Sequence, residues 1–111
     1  MDLVKTQSAD GLTRVSLSGS FDVPGAGGVD HQFSVIGKQA TDVLVDLSGV
    51  TFLASIGVHI LIRTAKAVAE RGGRMIILNP IAASRKVLHA TGVDSIIAIA
   101  ETEADALAGL S

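Results

Sequence analysis

Residues 12–18, "LTRVSLS", place Thr13, Val15 and Leu17 on one side and Arg14 and Ser16 on the other. An alternation of period two marks a half-buried strand. A weaker alternation over residues 2–7 predicts a strand before it, and Asp10-Gly11 in "ADG" suits a tight hairpin turn between the two. Gly19 ends the second strand. The glycine-rich "VPGAGG", residues 23–28, reads as a loop. Beyond it Val29, Phe33, Ile36 and Ala40 recur at helical spacing and predict a helix over residues 28–39. The apolar run "VLVDL", residues 43–47, suits a strand covered on both faces, as in a parallel sheet flanked by helices.

A second helix follows Ser55. Gly57, Leu61, Thr64, Ala65 and Val68 fall on one face, and His59, Arg63, Lys66 and Glu70 form a polar stripe opposite. Gly72-Gly73 stops it. "MIIL", residues 75–78, predicts the next strand. Asn79 and Pro80 then read as the cap and first residue of a third helix, which points Val87 and Leu88 inward and ends at Gly92. "SIIAIA", residues 95–100, predicts the last strand. Thr102 and Asp105 resemble a capping box before a short helix that carries Leu107 and Leu110. The order is ββαβαβαβα. Strands alternating with helices imply an α/β fold: a mixed, mainly parallel sheet with an N-terminal antiparallel hairpin.

The length of 111 residues fits a single domain over 1–111. Nearly half the residues are apolar (48%), enough to build a core without crosslinks. There is no cysteine, which excludes disulfides and thiolate zinc sites. A net charge of -2 argues against direct nucleic-acid binding and against an anionic-membrane binder. Phe21, Phe33 and Phe52 are the only aromatics, too few for a base-stacking surface. No apolar run approaches the ~20 residues of a membrane span, and Asp2 and Lys5 interrupt any apolar leader. The expectation is a cytoplasmic protein with no membrane insertion.

Candidate chemistry is sparse. His31, His59 and His89 are far apart on polar faces, without metal-ligand spacing. "PGAGG" is neither a dinucleotide fingerprint nor a P-loop. "RGGR", residues 71–74, reads as a helix-to-strand turn with an arginine at the favourable end of the helix dipole. Ser55 in "FLASIGV" has a glycine at only one of the two positions a nucleophile elbow requires, and no base is placed beside it. These readings point away from an enzyme and from any cofactor. Ser55 remains, either as a plain helix N-cap or as a site that another protein modifies. Val58 and Ile62 lie beside the polar stripe and are expected to stay partly exposed, forming an apolar patch next to Ser55. Gly57 is expected to clear bulk beside the serine.

The segments "GSFD" (19–22), "VLVDLSGVTFLASIGVHIL" (43–61) and "GGRMIILNPIAASRKVLHATGVDSII" (72–97) resemble the STAS domain, and above all the bacterial anti-sigma factor antagonists. The resemblance covers essentially the whole chain. It implies a STAS-type sheet and a regulatory binding protein that takes part in partner switching. It also implies that Ser55 is the phosphoacceptor of an anti-sigma factor that is itself a serine kinase, with a serine phosphatase reversing the modification. Gly57 matches the motif's glycine, and Asp22 matches an aspartate at the same end of the sheet. Asp22, Ser55, Ile56, Gly57, Val58 and Ile62 are the partner-binding candidates. ATP would belong to the kinase. Two positions depart from the family pattern: Ala54 stands where an aspartate is usual, and Ile56 where a serine or threonine is usual. Ala54 favours an alternative, a STAS scaffold or assembly subunit that binds its partner without phosphorylation.

Overall fold

A computed structural model describes residues 1–8 and 10–110. β1 (Asp2–Gln7) pairs antiparallel with β2 (Leu12–Phe21). Ala9 of the predicted hairpin turn lies outside the described residues. Among the described residues nearby, Gly11 N–H bonds to the Ser8 carbonyl at 3.1 Å, with Gly11 at φ +89°. β3 (Asp42–Leu53), β4 (Arg74–Leu78) and β5 (Ala98–Ala100) then add in parallel, giving the sheet order β1-β2-β3-β4-β5. The helices are α1 (Val23–Gln39), α2 (Ser55–Glu70), α3 (Ala82–Ala90) and α4 (Glu103–Leu110). The predicted order ββαβαβαβα and the mixed sheet are both present.

Alternation along β3 sorts its side chains between two layers. Val43, Val45 and Leu47 join the main core with residues of α1, α2 and α3, whereas Leu44 joins Leu12, Ile76 and Ala106 of α4 in a smaller core on the reverse face. Phe21 and Phe33, both fully buried, stack with ring centroids 5.9 Å apart and tie β2 to α1. α2 ends in a Schellman motif: Gly72 N–H bonds to the Ala69 carbonyl and Gly73 N–H to the Val68 carbonyl, each at 3.0 Å. "RGGR" is therefore the expected turn, with the Arg71 guanidinium donating to the Gly37 carbonyl at 3.0 Å.

Five elements differ from expectation. α1 begins at Val23, inside the stretch read as a loop. Asp22 caps it, its Oδ1 accepting from Gly25 N–H at 2.9 Å, and Pro24 sits in the first turn, where no amide hydrogen is needed. β2 and β3 run past Gly19 and Leu47 to Phe21 and Leu53 through an irregular register between Ser16 and Ser20. Asn79 is not a cap. It adopts a left-handed φ of +49°, its amide bonds to the Ala100 carbonyl at 2.8 Å, and α3 starts only at Ala82. Asparagine tolerates that conformation, and the following proline disfavours a helical one. Finally, β5 is short because Val93–Ser95 form a 3-10 turn that buries Val93. The capping bond at α4 is as expected, Asp105 N–H to Thr102 Oγ1 at 3.2 Å.

Candidate functional site

β2, β3 and β4 are parallel, and each is followed by a helix. α1, α2 and α3 therefore all begin along one edge of the sheet. Phe21 is in register with Leu53, and Ala54 N–H bonds to the Phe21 carbonyl at 3.0 Å. Those bonds set Asp22 and Ser55 just past the ends of two adjacent strands, at the same end of the sheet, as the resemblance implied.

Ser55 is exposed and is the first residue of α2. It is not the cap. Ala54 holds that position with extended backbone (φ -92°, ψ 170°), and no side chain caps the helix. Val58 N–H makes the first main-chain bond, to the Ala54 carbonyl at 3.2 Å. The serine hydroxyl thus stands at a helix start whose early amides lack a side-chain acceptor, where negative charge is favourable.

Two neighbouring expectations are corrected. Val58 is only 6% exposed and belongs to the main core. Its spacing to Leu61, Ala65 and Val68 puts it on the buried face, a pattern the sequence already held. Gly57 also faces inward. A Cβ there would come within 2.8 Å of Phe21 Cγ and 2.9 Å of Leu53 Cδ1, so its bareness serves close packing of helix on strand rather than space beside the serine. Ile56 and Ile62 are half-buried at the margin of the main core. Asp22 is half-buried, with one carboxylate oxygen committed to the α1 cap.

The accessible apolar surface comes instead from residues the pattern did not single out. Val23 is 73% exposed and Phe52 56%. A groove of about 250 Å³ runs between α1 and α2, lined by Val23, Ala26, Gly27, Ile56, His59 and Arg63 among others. Arg63 closes its lower end by pairing with Asp30 across the two helices. Val23 was hidden because its segment read as loop. Phe52 lies beyond residue 47, where the expected strand ended, and burial does not alternate there, so nothing in the pattern signalled it. His31, His59 and His89 are exposed, as expected, and His89 Nδ1 lies 2.7 Å from Asp94 Oδ2. No helix among the described residues is long and apolar enough to cross a membrane.

The chain is an α/β sheet whose helix starts gather along one edge, with an exposed serine at the start of α2. The STAS domain family model matches residues 4–106, and the chain belongs to that family. It is 29% identical over 105 residues to the anti-sigma-F factor antagonist RsfB of Mycobacterium tuberculosis, covering 91% of this chain and 83% of the relative. An anti-sigma factor antagonist from Mycobacterium paratuberculosis superposes with a TM-score of 0.84 at 28% identity, over 98% of this chain and 94% of the other. A STAS domain protein from Planctomyces limnophilus shares the fold at a TM-score of 0.86 and 23% identity, over 98% and 97% of the two chains.

Proposed function

We propose that this chain is an anti-sigma factor antagonist, that it docks on an anti-sigma factor serine kinase through the edge where α1 and α2 begin, and that phosphorylation of Ser55 releases it. The observation that carries this reading is the exposed Ser55 at the first position of α2, within a chain similar over most of its length to named antagonists. Val23, Ile56 and Ile62 supply apolar contact, and Asp22 supplies a negative charge beside it. Gly57 and Val58 act from beneath, by seating the helix start on Phe21 and Leu53.

The charge balance supports a switch. A phosphoserine adds about -1.5 to -2 charges at neutral pH. At the uncapped start of α2 the domain tolerates that charge. In a docked interface the same dianion loses water and faces Asp22, and each ~1.4 kcal/mol of cost weakens binding tenfold. A serine phosphatase would restore the docking form.

Incubation with a cognate serine kinase and ATP, followed by mass spectrometry, tests this. The expected result is a single phosphate on Ser55, absent in Ser55→Ala, with release of the phosphorylated protein from the kinase. A kinase that binds the chain tightly yet leaves Ser55 unmodified would overturn the switch. It would favour the second reading, a STAS scaffold that binds without phosphorylation. Ala54, which removes the family's carboxylate beside the serine, is the observation on that side.

A further inference from the structure

One wall of the groove comes from the opening stretch of α1, where Val23, Ala26 and Gly27 lie. That stretch is poor helix. It holds Pro24, Gly25, Gly27 and Gly28, with no acidic residue in its first turn. Gly25 has a structural cause, since a Cβ there would fall 2.2 Å from the Ser20 carbonyl oxygen. Gly27 and Gly28 have none. A Cβ on either would meet nothing within 4 Å, and neither has a positive φ. Each glycine inside a helix shifts the balance of closed to open roughly fivefold towards open, relative to alanine.

Burial does little to oppose this. Between Val23 and Gly28 the only buried side chain is the methyl of Ala26, and the first large anchors are Val29 and Phe33. The opposite wall is different: α2 buries Val58, Ile60 and Leu61 soon after its start. Segments with few buried apolar contacts open locally, well below the free energy of global unfolding.

We infer that Val23–Gly28 opens and recloses in the unbound protein, and that the docking partner selects the closed form, in which the groove is complete. The identity of the partner rests on the function proposed above; the opening does not. Apparent affinity then falls in proportion to the closed fraction. Any change that stiffens this stretch strengthens docking without adding a contact.

Amide hydrogen exchange by NMR tests both halves. Ala26–Val29 and Val58–Leu61 are the first main-chain-bonded amides of their helices, equally far from the two starts. The former are expected to exchange about tenfold faster or more. Gly28 is exposed and does not line the groove. Gly28→Ala is expected to slow exchange of Ala26–Val29 by about fivefold and leave the α2 amides unchanged. The same variant should bind up to about fivefold tighter to an anti-sigma factor from the same genome that binds the unmodified protein. Equal rates at the two helix starts would overturn the proposal, as would slowing spread evenly over α2. An affinity change in Gly28→Ala that departs from the change in closed fraction read from exchange would overturn the coupling of closure to docking. The exchange measurements need no partner, so failure of the docking reading is seen separately, as no binding by the unmodified protein.

Discussion

Gly57 and Ser84 show how single side chains set the limits of this site. A methyl at position 57 would press on the root of the Phe21 ring, which has no exposed surface to move into. Overpacking of this kind costs about 1–3 kcal/mol, more than alanine's helix propensity returns. Gly57→Ala should lower unfolding free energy by about 1–2 kcal/mol in urea titrations; a more stable variant would mean that the start of α2 can lift off the sheet. Ser84 is the reverse case. It is 1% exposed in α3, and its hydroxyl has no hydrogen-bond partner among the described residues. A buried unsatisfied hydroxyl costs roughly 1–3 kcal/mol. Ser84→Ala should therefore raise stability, by about 1 kcal/mol, and a loss in the same titration would show that the hydroxyl has found a partner.

At the level of elements, the helix starts differ in how they are finished. α1 has Asp22 as a capping side chain, whereas the cap positions of α2 and α3, Ala54 and Ile81, supply none. A side-chain cap is worth about 1 kcal/mol. Ala54→Asp, which restores the family's residue, should raise the melting temperature by about 4–8 °C if the gain is of that size. An unchanged melting temperature would show that the α2 amides are already satisfied by other means.

The same elements show what could be read in advance. α2 was legible because its apolar spacing, its polar stripe and Gly72-Gly73 all agreed. The start of α1 was not, because local propensity in "VPGAGG" opposes the helix while Asp22 and the packing of Val29 and Phe33 impose it. Asn79-Pro80 carried a plausible capping signal, but a backbone bond to Ala100, distant in sequence, holds Asn79 outside the helix. Ser55 could be found from its motif. The groove could not, since it exists only where two helices that are not adjacent in sequence meet.

Across the whole molecule, the Ser55 side chain stands in solvent above a closed core. Phe21, Val45, Leu61 and Ile77 are fully buried in the main core. Phosphorylated protein should accordingly keep the far-ultraviolet circular dichroism and melting temperature of the unmodified form, or melt slightly higher, because the dianion meets a favourable helix dipole. A large drop in melting temperature on phosphorylation would mean that release works by unfolding rather than by repulsion at a surface.

The parallel connections that bring three helix starts to one edge send the far ends of α1 and α2 to the opposite edge. Lys38 is exposed in the last turn of α1, and the chain contains no cysteine. Lys38→Cys would therefore install a sole thiol, through which the protein could be tethered to a sensor chip or given a fluorophore with its serine edge turned towards the flowing solution.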